Sequence, residues 1–149
     1  MPLAEIGRWE FFIPDEWPSK DPEPGVSYFE SLDGRMGLYA KSIHPTRPES
    51  TARDLAKDVQ HSHFSGYNSD ADMEWHVMED TFQNEGDIVR STLELWDESR
   101  CYRVLSLVLA TASDAVQVTL HDYDCDEYIA ENLPFNRIQN SLRLVAGAA

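Results

Sequence analysis

An α+β fold, an antiparallel sheet packed with two main helices as an α/β/α sandwich, follows from three features of this 149-residue chain. Over most of the second half, apolar residues recur at every second position, the period of a strand. Two other stretches switch to spacings of three and four, the mark of a helix with one apolar stripe. Finally, Val104 to Ala110 is apolar at both parities, Leu105, Leu107 and Leu109 against Val104 and Val108. A strand buried on both faces requires a layer above it and another below.

The elements follow in order. RWEFFIP (Arg8 to Pro14) is rich in strand-forming aromatics. PDEWPSKDPEPG, from Pro14, has four prolines in twelve residues and makes a loop. VSYFESLDGRMGLYAKSI (Val26 to Ile43) reads as two strands around Asp33-Gly34, a residue pair suited to a tight hairpin. The period then changes. Ser50 or Thr51 caps a helix, Ala52, Leu55, Ala56 and Val59 form its stripe, and Gly66 is the expected stop.

From Met73 the period returns to two, with Met73, Trp75 and Val77 on one face and Glu74, His76 and Met78 on the other. NEGD, DESR and TASDA punctuate the following runs, IVRSTLELW, CYRVLSLVLA and VQVTLHDYD, so the region predicts a four-strand meander. Asp124 or Asp126 is placed to cap a short turn through Tyr128 and Ile129. Pro134 suits the first turn of a last helix, whose stripe is Phe135, Ile138, Leu142 and Val145. There is no repeat at a fixed period, and residues 1–149 are expected to form a single domain.

Twelve Lys and Arg face 27 Asp and Glu, for a net charge of −15. That balance argues against nucleic acid or an anionic membrane as partner, because binding to phosphates draws on Lys and Arg. It suits a basic protein partner, and it equally serves solubility. The first residues show no cationic start before an apolar run, no stretch approaches membrane-spanning length, and the two cysteines suit a reducing compartment. A cytoplasmic protein without membrane insertion is the expectation. If the hairpin around Ser113 is symmetric, Cys101 and Cys125 lie near one another across it; free thiols are expected on grounds of compartment.

The stretch DVQHSHFSGYNSDADMEWHVMED, Asp58 to Asp80, raises the question of a metal site at His61, His63 and His76. On a helix, however, residues two apart point about 200° apart, so His61 and His63 cannot grip one ion. The helix stripe puts His63 at the edge of the core and His61 in water. HExxH, paired Cys-x-x-Cys and calcium-loop patterns are absent, as are P-loop, dinucleotide and nucleophile-elbow motifs. Cys101 and His121 could approach as a nucleophile and base only if strand register cooperated. The expectation is therefore no metal, no cofactor and no catalytic residue.

The acids are unevenly spread. Between Tyr67 and Asp87 stand seven acids and no Lys or Arg, whereas five bases cluster from Arg35 to Lys57. Trp17 and Tyr67 stand outside the periodic stripes, and such aromatics are enriched at interface hot spots. Trp17 also suits a lid folded back on the core. The candidate partner-binding set is Trp17, Tyr67, Asp70, Asp72, Glu74, Glu79 and Asp80.

FFIPDEW (Phe11 to Trp17), a strand ending in Ile-Pro and then Trp, is followed by GLYAKSI, by the capped helix STARDLAKDV, and by the meander and last helix. In this order the chain resembles the PsbP-like superfamily, which includes DcrB-like proteins and the Eag chaperones of type VI secretion effectors. The resemblance implies a non-catalytic sheet covered by helices, whose relatives bind other proteins. The expected function is an acidic protein-binding module, a bacterial immunity protein or secretion-effector chaperone, with a toxin or secreted effector as partner. The alternatives are a metal- or small-molecule-dependent enzyme using the His61, His63 and His76 region, and a homo-oligomeric structural subunit.

Overall fold

The computed structural model describes residues 3–14, 16–20, 26–45, 49–69 and 72–145. Its main sheet has six antiparallel strands. β3 (Val26–Glu30) and β4 (Met36–Ile43) are the hairpin around Asp33-Gly34, and β5 (His76–Glu85), β6 (Ile88–Asp97), β7 (Tyr102–Ala110) and β8 (Ala115–Asp122) are the meander. The spatial order is β3-β4-β8-β7-β6-β5, so the hairpin joins the meander through its last strand. That join runs from Met36 opposite Asp122 to Ile43 opposite Ala115.

Between hairpin and meander lies helix α1 (Ala52–Asn68). Of the two possible caps, Thr51 is used. Its Oγ accepts the Asp54 N–H at 3.1 Å while Asp54 Oδ2 accepts the Thr51 N–H at 3.3 Å, a reciprocal cap that contributes about 1 kcal/mol. Gly66 does not stop the helix. Tyr67 packs its ring on His63 and Trp75, which holds one more turn in place, and the helix ends at Ser69, whose hydroxyl donates to Gly66 O at 2.9 Å. Among the described residues, no helix is long and apolar enough to cross a membrane.

The two faces of the sheet differ because alternate residues of every strand differ. One face presents Leu38, Ala40, Leu105, Leu107, Leu109, Val116, Val118 and Leu120, and forms the larger core with Trp9, Phe11, Ile13, Phe135 and Ile138. Fully burying one such side chain contributes roughly 1.5–3 kcal/mol, so this face dominates folding. The other face lies under α1. There the apolar contact is small, Leu55 and Ala56 against Val89, Val108, Ala110 and Ala115. Tyr39, Gln117, Thr119, Ser106 and His121 share that face. Layers above and below β7 are thus present, as its double apolar pattern required.

The layer over the larger core is mixed rather than purely helical. α2 (Leu133–Ser141) lies there beside a second sheet of β1 (Leu3–Ile6), β2 (Trp9–Phe12) and β9 (Arg143–Leu144). The expected helical stripe through Val145 is therefore corrected. Leu142 is buried as the stripe predicts, but the helix has already ended at Ser141. Arg90 takes the carbonyls of Gln139 (3.2 Å) and Leu142 (3.1 Å), the orphan acceptors of a helix end, and the freed chain pairs with β2.

Two further corrections concern the start of the meander and the stretch after it. Met73 to Trp75 lie outside β5, because the Asp97 carboxylate accepts the Glu74 N–H at 2.8 Å and the Trp75 indole donates to Tyr67 O at 3.2 Å. The pairing then slips between Val77 and Glu79, a bulge that places Glu79 opposite Glu94 and moves it off the face of Val77. The stretch 123–132 turns at Tyr123-Asp124 rather than through Tyr128 and Ile129, and Arg103 holds it by donating to Ile129 O (2.9 Å) and Ala130 O (3.3 Å).

Candidate functional site

Beneath the C-terminal half of α1, the polar face of the sheet carries a continuous run of rings. Tyr28 stacks on Tyr39 with centroids 4.2 Å apart, and Tyr39 meets His121 edge-on at 5.5 Å. His121 stacks on Tyr123 at 5.6 Å, and its Nδ1 lies 2.6 Å from the Tyr102 hydroxyl. Tyr102 leads to Trp75 (5.4 Å), Trp75 to Tyr67 (5.4 Å), and Tyr67 to His63 (4.7 Å) on the helix. Gly37 makes room for this. A Cβ there would stand 2.9 Å from the Tyr28 hydroxyl, which is fixed by a 2.9 Å bond to Glu30.

Burial governs the electrostatics. Both imidazoles are pulled from 6.5 down to about 4, His63 by burial and then by the charge of Lys41, His121 by burial and then by His63. Both are neutral at pH 7. Burial likewise raises the Tyr102 hydroxyl, so it stays protonated. Where α1 leaves β4 uncovered, two adjoining cavities of about 410 and 400 Å3 open, sharing Lys41, His63 and Gln117. The first is completed by Val26, Tyr39, Ala40, Tyr67, Thr119 and His121.

The residues singled out in the sequence are scattered over three places. Trp17 is only 5% exposed and belongs to the larger core, so as a partner-contact residue it is corrected: the chain folds it inward as a lid. Tyr67 is half-buried and lines the first cavity. Asp70 lies outside the described residues. Asp72, Glu74, Glu79 and Asp80 are exposed and gather at the start of β5. Glu79 has its carboxyl raised, by partial burial and then by the facing Glu94.

β5 is itself a surface feature. It is ten residues long, every residue but Phe82 is exposed, and it ends the sheet order, so no described strand covers its outer edge. The opposite edge is guarded. There Ser19 bridges to Phe29, Lys20 N–H donates to Tyr28 O at 2.7 Å, and Glu30 N–H donates to Pro18 O at 3.3 Å.

The three histidines do not converge. His63 faces the sheet, His61 is exposed beside Phe64 and Val77, and His76 packs on Trp96. The helix separates the first two as its period dictates. Among the described residues, no group of three or more His, Cys, Asp or Glu is arranged to hold a metal ion. His121 is engaged by Tyr102 rather than by Cys101, whose Sγ lies 3.7 Å from Glu98 O. Both thiols are free. Cys125 N–H donates to Cys101 O at 2.8 Å, so the two backbones do lie side by side.

What the sequence reading missed is the polar face itself: Tyr28, Tyr39, Lys41, Gln117, Thr119 and His121. The signal was present as Tyr39 and Lys41 in GLYAKSI and Gln117, Thr119 and His121 in VQVTLHD, alternating with Leu38, Ala40, Val116, Val118 and Leu120.

No family model matches the chain, and no curated protein matches its sequence. Among solved structures, it is similar to the solution structure of cyanobacterial PsbP (CyanoP) from Synechocystis sp. PCC 6803. The identity is 18%, with 93% of this chain and 87% of that one covered, at a TM-score of 0.66. It is also similar to a crystal structure from Bacteroides thetaiotaomicron VPI-5482, at 10% identity and a TM-score of 0.57, over 96% of this chain and 48% of that one. The chain thus spans about half the length of the second. At such identities the likeness is one of fold alone, and the fold of this protein is PsbP-like.

Proposed function

We propose that this protein is a non-enzymatic protein-binding module whose contact surface is the open edge of β5 and the acids around it. The observation that carries the reading is the contrast between the two sheet edges. One is closed by its own chain, and the other is a ten-residue exposed strand bearing Glu79, Asp80 and Glu85. An open edge offers unpaired N–H and C=O groups to an extended segment of another chain, and side chains at alternate positions set the choice of segment. Asp72 and Glu74 extend the acidic character to the start of the strand. A basic segment therefore fits, while the edge of a second copy would bring like charges together.

An immunity protein or a secretion-effector chaperone is the setting this reading favours, with a basic toxin or effector as partner and the cytoplasm as compartment. Supporting it are the net charge of −15, the free thiols and the edge just described. The test is a pulldown from the native host at low and at physiological salt, with wild type beside the double variant Glu79→Lys, Asp80→Lys. A stoichiometric partner held by wild type and lost by the variant supports the reading. Equal recovery by both, or no partner for wild type even at low salt, overturns it.

A further inference from the structure

We propose that the groove between α1 and the β3–β4 hairpin is a binding site for a planar aromatic carboxylate. The site is separate from the β5 edge, and three observations meet in it. First, its walls are rings: Tyr39, His121, Tyr67 and His63 line one cavity of about 410 Å3, within the roughly 300–1,000 Å3 usual for small-ligand sites. Rings already packed edge-on and offset against each other accept one more flat ring in the same geometries.

Second, the cavity holds a cation without a counter-ion. Lys41 is in none of the ion pairs formed among the described residues, and no acid lines this cavity, in a chain that carries 27 of them. The adjoining cavity adds one acid, Asp58. A lone lysine without arginine offers one compact point charge, matched by the single negative charge of a carboxylate.

Third, His63 Nε2 is buried and has no hydrogen-bond partner among the described residues. A buried polar nitrogen left so is unfavourable, and a bound acceptor relieves it. Lys41 and His63 line both adjoining cavities, so they face the same space. A carboxylate seated between them can accept from Lys41 Nζ and, once the His63 ring turns towards it, from a neutral Nε2–H, while its own ring lies among Tyr39, Tyr67 and His121. Gln117 and Thr119 supply polar groups on the floor of the same cavity for a ring substituent.

The test uses 4-hydroxyphenylacetate as probe, titrated into the full chain and followed by amide NMR. Saturable shifts are expected at Tyr39, Lys41, Gln117 and Thr119 and not along β5. Lys41→Met, which alters an exposed side chain and leaves the core intact, and His63→Leu should each weaken binding about tenfold or more. His63→Gln, which keeps a donor, should lose less than His63→Leu. The uncharged alcohol of the same ring and the ring-free hexanoate should both bind at least about tenfold more weakly than the probe. Unchanged affinity in Lys41→Met, equal affinity for hexanoate, or an absence of saturable shifts in the groove overturns the proposal. Loss of a protein partner through the β5 variants would leave this result untouched, so the two readings fail separately.

Discussion

Replacing Arg103 by Met should destabilise the protein by about 4 kcal/mol, and the structure says where that loss arises. The Arg103 and Glu94 side chains are 4% and 5% exposed, and Arg103 Nε lies 2.6 Å from Glu94 Oε2. The same guanidinium donates to Ile129 O and Ala130 O and lies over the rings of Tyr128 (4.6 Å) and Phe135 (5.4 Å). Tyr128 in turn donates to Glu94. Removing one partner of a buried pair typically costs about 3–5 kcal/mol, because the other charge remains buried and uncompensated. Two carbonyls also lose their donor, and the stretch 123–132 loses its tether. Against a total stability of about 5–15 kcal/mol this is a large share. With a urea dependence near 2 kcal/mol per molar for a chain of this size, the midpoint followed by tryptophan fluorescence should fall by about 2 M. The double variant Arg103→Met, Glu94→Leu should recover most of the loss, since an apolar pair leaves no stranded charge. A single variant that loses under about 1 kcal/mol, or a double variant no better than the single, would refute the reasoning.

Acid should weaken the fold through His63 and His121. Their folded values near 4 lie below the unfolded 6.5, so the unfolded chain binds more protons between these limits. The stabilisation is complete above 6.5 and is lost as the pH falls towards 4, up to about 3 kcal/mol for one such group. Imidazole NMR midpoints above pH 6 would sink this account. Gly37→Ala sets a Cβ against the fixed Tyr28 ring and should cost about 1–3 kcal/mol, read as a lower thermal midpoint; an unchanged midpoint would show that Tyr28 yields freely. Thr51→Ala removes the helix cap and should cost about 1 kcal/mol in urea unfolding, with no effect expected on probe binding in the groove. Leu107→Ala, at a fully buried position of the larger core, should cost about 2–5 kcal/mol by the same assay, and a loss below 1 would mean the cavity collapses.

Much of this architecture is written locally. The alternation in β6 and β8, the apolar run of β7, the Asp33-Gly34 turn and the stripe of α1 each depend on neighbours within a few residues, and each is found where the sequence puts it. Most of the misses are long-range; the run of α1 past Gly66 and the short β1–β2 hairpin are the local ones. β9 has only two residues and forms because β2, more than a hundred positions earlier, offers an edge. The helix before it ends where Arg90 of another strand takes its carbonyls. β5 starts only at His76 because Asp97, on the neighbouring strand, takes the N–H of Glu74. Of the site, the acidic start of β5 was legible as composition, and the inward helix position of His63 as periodicity. The groove was not, because Lys41 and Gln117 meet only through the pairing of β4 with β8.

That pairing has a kinetic side. The meander can zip hairpin by hairpin, each closure involving a handful of intervening residues, whereas β4 reaches β8 only after α1 and three strands have been spanned. Loop-closure entropy makes such a contact late to form and, on the way out, early to break. The floor of the groove is thus assembled last. Amide protons on β3 and β4 should exchange with solvent before those of β6 to β8, and an occupant lodged between Tyr39 and His63 would slow precisely the first seam to open.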